Sequence, residues 1–173
     1  GPDYVNDDAP QSIPIGFIPQ VEHTYGYFDA NYGIMNEHQL MFGECTNGSK
    51  RDDVKPSDDR LFYSAELTRV ALERCKTARG AVKLMGRLIE EYGYYGTGET
   101  LPVADPEEAW VIEMAPGPEG CSGLWVAKKV PDGTVFVAAN EFRIREVKKD
   151  DPNMMYSTNL FDVAEEAGWW NPE

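Results

Sequence analysis

Apolar side chains recur every three or four residues along the middle of the chain, which is the spacing of one helix face. The first stripe predicts a helix over roughly residues 62–75 and consists of Leu67, Val70, Ala71 and Cys75. The second stripe follows Thr77, a predicted N-cap, ends at Gly93, and consists of Ala81, Leu84, Met85, Leu88 and Tyr92. The two segments are predicted to form an antiparallel helix pair that covers one face of a sheet.

Shorter apolar runs, bounded by glycine, proline and polar turn residues, predict the strands of that sheet. Before the helices, residues 21–28 predict a strand and residues 33–43 predict a hairpin with Asn36 at its turn. After the helices, residues 94–100 predict a kinked strand, and further strands are predicted over Ala109–Met114, Leu124–Lys129 and Thr134–Ala139. Such a meander favours an antiparallel sheet. A short helix is predicted after Ser157.

The chain has 173 residues, which is the length of one ordinary domain with a core of its own. Residues 1–15 are rich in acidic, asparagine and proline residues and predict a flexible arm. Residues 16–173 are therefore predicted to form a single domain.

Acidic side chains outnumber basic ones by 30 to 16, which gives a formal net charge of −14. Nucleic acids and anionic membrane surfaces bind basic patches, so this charge argues against both as partners. Apolar runs stay well short of the roughly 20 residues that a membrane helix needs. The sequence does not distinguish a cytoplasmic protein from an exported one.

The sequence predicts neither a metal nor another cofactor. Cys45, Cys75 and Cys121 are odd in number and lack the spacing of a zinc site. The acidic loop over residues 49–60 lacks the regular pattern of a calcium-binding loop. A nucleophilic dyad of Cys45 with His23 or His38 is disfavoured.

Short blocks of sequence, in a fixed order from Ile18 to Trp169, resemble those of peptidase family C69. This is the dipeptidase family of N-terminal-nucleophile hydrolases that includes the secernins. The blocks are Ile18–Gln20, His23–Tyr25, Met35–Leu40, Gly43–Thr46, Lys76–Arg79, Leu88–Tyr94, Pro131–Gly133, Ala139–Ile144, Met155–Ser157 and Gly168–Trp169. The resemblance implies an α+β fold with the αββα-type layers of that class, of which this chain forms a part.

The resemblance also implies an enzyme that hydrolyses the peptide bond of short peptides. In the family, the first residue of the mature chain is a cysteine whose thiol attacks and whose α-amine takes the proton. This chain begins with Gly1, so we expect an internal fragment that lacks the nucleophile and is inactive by itself. The missing part is then a candidate partner, either as flanking sequence or as a second chain, and the chain is also a candidate homo-oligomer.

Four residues match or accompany family positions near the expected site. Asn36 and Asn140 match positions with catalytic roles, and the Asn36 amide is expected to stabilise the oxyanion of the tetrahedral intermediate. Asn36 could equally be a turn residue chosen for its conformation. Arg143 is expected to bind a substrate carboxylate and Glu44 the substrate ammonium group. Glu141 stands where relatives often have glutamine, which leaves the substrate preference open.

A second reading of the same resemblance is a protein without enzymatic activity. A secernin-like interaction protein would share the fold and use it for binding. The residue at the nucleophile position of the natural protein distinguishes the two, because only an exposed cysteine there supports hydrolysis.

Overall fold

One antiparallel sheet with helices packed on one face organises the chain in this computed structural model, which describes residues 14–172. The strands are β1 (Tyr27–Phe28), β2 (Met35–Asn36), β3 (Met41–Phe42), β4 (Cys45–Asn47), β5 (Gly98–Ala104), β6 (Ala109–Ala115), β7 (Leu124–Lys129) and β8 (Met154–Tyr156). Their order is β1-β2-β3-β5-β6-β7-β8, with β4 also beside β5. The helices are α1 (Ser64–Arg74), α2 (Ala78–Tyr92) and α3 (Leu160–Glu166). The predicted α+β fold with an antiparallel sheet is confirmed.

Strand β5 lies at the centre and pairs along one side with both β3 and β4. Cys45 is opposite Thr100 and Met41 is opposite Ala104, so the two short strands share one register. Between them the amide of Gly43 donates to the Pro102 carbonyl at 2.9 Å. Proline has no amide hydrogen to return the bond, and the ladder is interrupted there.

The helix pair forms where the apolar periodicity predicts it. Thr77 caps α2, accepting a hydrogen bond from the amide of Gly80 at 3.1 Å. Gly93 follows the helix with φ of 77°, a conformation that glycine adopts at little cost. Gly86 lets α2 approach the sheet, since a Cβ at this position would lie 2.2 Å from Cζ2 of Trp125. The core between helices and sheet includes Trp110, Ile112, Met114, Leu101, Val103, Leu67, Leu72, Met85 and Ile89.

The predicted strand over residues 134–139 is wrong. Residues 130–150 carry no strand, and Val135 and Val137 are 88% and 69% exposed. Their alternating pattern suits a strand, but the free edge of β7 is already paired with β8, where Val126 lies opposite Tyr156. Residues 130–150 contact the sheet through the buried carboxylate of Glu113 instead, which accepts hydrogen bonds from the backbone amides of Arg143 and Ile144.

The remaining predicted segments differ in how well the structure matches them. The hairpin of β2 and β3 and the short helix α3 are confirmed, whereas the strand predicted over residues 21–28 shrinks to Tyr27–Phe28. Most of the predicted arm, up to residue 13, lies outside the described residues. Among the helices of the described part, none has the length and apolarity to cross a membrane.

Candidate functional site

A fully buried carboxylate, Glu99, lies at the start of β5 next to the first turn of α1. Alternation along the strand places Glu99 on the same side as Leu101 and Val103, which pack against the helices. Its Oε2 accepts a hydrogen bond from Ser64 Oγ at 2.8 Å and a longer one from the Tyr32 hydroxyl at 3.4 Å. The side chain is 0% exposed. An ionisable group is thus buried at a position where strand alternation predicts an apolar residue.

Strand β4 brings a second carboxylate to the same side of the sheet. Thr46 lies directly opposite Glu99 in the β4–β5 pairing, and its hydroxyl donates to Glu44 Oε1 at 2.7 Å. Glu44 lies two residues before Thr46, so both side chains face the side that carries Glu99. Because Glu44 is exposed while Glu99 is buried, the pair has an outer and an inner carboxyl group.

Three tyrosines lie in a row that begins at this pair of acids, where the Tyr32 hydroxyl contacts Glu99. The rings of Tyr63 and Tyr95 have centroids 5.7 Å apart, and those of Tyr32 and Tyr63 lie 6.5 Å apart. The hydroxyls of Tyr32 and Tyr63 are 3.4 Å apart. All three side chains are half-buried. Burial raises the pKa of the Tyr32 hydroxyl, so it remains a hydrogen-bond donor at neutral pH.

The electrostatics of the pair follow from burial and like charge. Burial, followed by the neighbouring Glu44 carboxyl, raises the pKa of Glu99 to about 7, against a smaller lowering effect of the Ser64 hydroxyl. Among the described residues, no nitrogen or hydroxyl donates to Glu99 Oε1, and the Glu44 carboxyl is a close neighbour of the Glu99 carboxyl. Near neutral pH the Glu99 carboxyl therefore carries its proton in only part of the molecules.

Asn140 and Arg143 approach the sheet from the other side. Thr100 and Glu113 lie opposite each other in the β5–β6 pairing, on the face away from the helices. The Glu113 carboxylate accepts from the backbone amides of Arg143 and Ile144, while the Arg143 side chain is exposed. Asn140, at φ of 54°, donates from Nδ2 to the Thr46 carbonyl at 2.7 Å. Thr46 therefore contacts both Asn140, through its carbonyl, and Glu44, through its hydroxyl.

Asn36 is buried between the hairpin turn and the end of α1. Its Nδ2 donates to the carbonyls of Leu72 and Cys75, both at 2.8 Å. Its Oδ1 accepts from the amides of His38 and Leu40 at 3.0 and 3.1 Å. Both amide hydrogens are thus engaged within the chain, which gives Asn36 a structural task as well as the expected catalytic one.

The four expected site residues do not form one cluster in the described part of the chain. Glu44 and Asn140 both adjoin Thr46, Arg143 belongs to the opposite face, and Asn36 lies at the far end of α1 from Glu99. Their catalytic and binding roles stay predictions. No group of three or more metal-ligating side chains occurs in residues 14–172.

Sequence reasoning missed Glu99, Ser64 and Tyr32. The available signal was the acid of Glu99 in phase with Leu101 and Val103, that is, a charge on the core side of a predicted strand. Such a position is costly unless the carboxyl group has hydrogen-bond partners or a function.

Comparison with known proteins gives consistent matches. The model of peptidase family C69 matches residues 20–172. A probable dipeptidase B of Lactococcus lactis subsp. lactis (strain IL1403) is 32% identical over 108 residues, covering 62% of this chain and 21% of that protein. A probable dipeptidase of Salmonella dublin is 33% identical over 104 residues, covering 60% and 23%. A probable dipeptidase B of Streptococcus pyogenes serotype M1 is 27% identical over 163 residues, covering 86% and 32%. The chain thus spans about a fifth to a third of the length of these relatives.

Proposed function

Since the chain belongs to peptidase family C69, we propose that the protein hydrolyses the peptide bond of dipeptides. The observation that carries this proposal is the family match across residues 20–172, together with relatives named as dipeptidases. Both a nucleophile and groups that recognise the two charged ends of a dipeptide are then required.

The nucleophile we propose is the thiol of an N-terminal cysteine outside these 173 residues. Two of the three cysteines of this chain suit the role poorly: Cys75 and Cys121 are buried, and burial raises the pKa of Cys75 to about 11. A thiol with such a pKa is almost wholly protonated at neutral pH and is a poor nucleophile. An N-terminal cysteine avoids this difficulty because its own α-amine can accept the thiol proton. The 173 residues alone are then inactive.

The remaining roles go to residues on both faces of the sheet. Asn140 presents an exposed side-chain amide in a turn, suited to positioning substrate or stabilising an oxyanion. The exposed guanidinium of Arg143 can bind a carboxylate with two parallel hydrogen bonds. Asn36 can donate to an oxyanion only by giving up one of its two bonds to α1, so substrate binding would have to compete with that contact.

The test is hydrolysis of dialanine by the protein that carries its natural N-terminus, with product alanine quantified by chromatography. Alkylation of the N-terminal thiol should abolish turnover. Arg143→Lys should raise KM for dialanine more than for its C-terminal amide, because a lysine cannot form the bidentate bond. If the natural protein binds peptides without cleaving them, or has no cysteine at that position, the secernin-like interaction protein replaces the dipeptidase.

A further inference from the structure

We propose that Glu99 and Glu44 together bind the α-ammonium group of the substrate, with Tyr32 beside it and the rings of Tyr63 and Tyr95 following Tyr32 in a row. This inference rests on the proposed function and adds Glu99, a residue that neither the family match nor the sequence motifs single out. It assigns a chemical task to the most deeply buried acid of the candidate site.

The first argument is the unused oxygen of Glu99. Oε2 has Ser64 and Tyr32 as donors, whereas no nitrogen or hydroxyl of the described residues donates to the buried Oε1, and the Glu44 carboxyl can hydrogen-bond Glu99 only when one of the two is protonated. A buried acceptor without a donor costs free energy, and native proteins rarely leave one. The position therefore requires a donor that arrives from outside the fold, either a proton or a cationic group.

The second argument is the absence of a resident cation. No arginine, lysine or histidine forms an ion pair with Glu44 or Glu99 within residues 14–172. The groups that face Glu99 are the Glu44 carboxyl and Thr46 from β4, Ser64 and Tyr63 beside α1, Tyr32, and the phenol of Tyr94. Every one of them is acidic or neutral. A single positive charge fits this environment.

The third argument distinguishes an organic ammonium from a metal ion. Two carboxylates fall short of the three or more clustered ligands of a metal site, and no such cluster exists in the described residues. An ammonium group instead needs three acceptors, which Glu99 Oε1, the Glu44 carboxylate and a phenol oxygen can supply. The ring centroids of Tyr63 and Tyr95 lie 5.7 Å apart, and those of Tyr32 and Tyr63 lie 6.5 Å apart. These rings add the aromatic surface that organic cations favour.

Proton balance makes the proposal measurable. Without ligand the Glu99 carboxyl is partly protonated near pH 7, because its pKa is raised to about 7. When an ammonium group binds with all its protons, the Glu99 proton leaves for solvent and both carboxylates are ionised. Binding near neutral pH is therefore accompanied by release of up to one proton.

The experiment is calorimetric titration of the chain with L-alaninamide, which has the ammonium group but no carboxylate. We expect binding and proton release, read from the difference between two buffers of unlike ionisation enthalpy. Glu99→Gln should weaken binding on the order of 10- to 100-fold and abolish proton release. Glu119→Gln, an exposed charge-matched control in the β6–β7 loop, should change neither, and N-acetyl-alaninamide should not bind.

Two results would overturn the inference: equal affinity of parent and Glu99→Gln, or binding without proton release. Should Glu99→Gln fail to fold, the exposed Glu44→Gln provides the same test with the same expected loss of proton release. The outcome also separates the two proposals. Dipeptide hydrolysis with kcat/KM unchanged in Glu99→Gln rejects the ammonium site alone, whereas Glu99-dependent binding without any hydrolysis by the natural protein rejects the dipeptidase alone.

Discussion

Replacing Asn36 by alanine should destabilise the fold far more than an ordinary turn substitution does. The side chain makes four hydrogen bonds, two donated to α1 carbonyls and two accepted from amides of its own turn. A typical hydrogen bond contributes about 1 kcal/mol net, and buried groups left unpaired cost more. Because water can reach the half-buried His38 amide, we expect the free energy of unfolding to fall by about 3–4 kcal/mol.

Urea unfolding followed by circular dichroism measures this loss directly, and thermal unfolding should show a decrease on the order of 10 °C in Tm. Asn36→Asp isolates the donated bonds, since it keeps the acceptor oxygens but faces the Leu72 and Cys75 carbonyls with a negative charge. It should be at least as destabilising as alanine. Gln39→Ala, an exposed change in the same turn, should cost about 0.5 kcal/mol or less.

Loss of less than about 1 kcal/mol in both Asn36 variants would refute the structural role. The expected oxyanion role would then account for the residue better, and kcat of the natural protein would fall without loss of stability. If both quantities fall, the comparison must be made at a temperature where the variant remains folded.

Three further predictions concern other parts of the fold. Arg60→Lys should lower the free energy of unfolding by about 3 kcal/mol in urea titrations. The buried Arg60 guanidinium donates to five backbone carbonyls, which one ammonium group cannot reach together. An unchanged urea midpoint would contradict this prediction. Gly86→Ala should cost about 1–3 kcal/mol despite better helix propensity, since the new methyl group collides with Trp125, and a stabilised variant would show that the helix can shift. The pKa of Glu99 is raised to about 7 in the folded state, so the folded state keeps a proton that the unfolded state releases. Relative to Glu99→Gln, the free energy of unfolding should therefore be highest below the ordinary glutamate pKa and fall as the pH rises toward 7. Parallel pH profiles of the two proteins would exclude the shift.

The helix pair and the long strands could be predicted because their signals are local. The stripe from Ala81 to Tyr92 spans three turns, and β6 and β7 are mostly apolar segments between clear turn residues. In such segments periodicity and tertiary burial agree, so a sequence pattern is sufficient.

The errors arose where the outcome depends on distant residues. Val135 and Val137 have strand propensity, yet a strand forms only where a neighbouring edge is free, and the β7 edge is occupied by β8. The partners of Asn36 lie 36 and 39 residues away, at Leu72 and Cys75. The buried state of Glu99 likewise depends on Ser64 and Thr46, which are remote in sequence. Such long-range pairings carry no local sequence signal.

Pro102 has a consequence for motion as well as for pairing. A paired residue normally exchanges two hydrogen bonds with the opposite strand. Gly43 donates one to the Pro102 carbonyl, but its own carbonyl accepts none in return, since proline has no amide hydrogen. The strand can pivot at this point while the pairs on either side of it, Phe42 with Val103 and Cys45 with Thr100, remain formed. The residue that follows the pivot is Glu44. In the ammonium site proposed above, the outer acid thus follows the weakest point of the pairing with β5, whereas the inner acid belongs to the continuous β5–β6 ladder, so Glu44 is the carboxylate expected to adjust its position when a ligand binds.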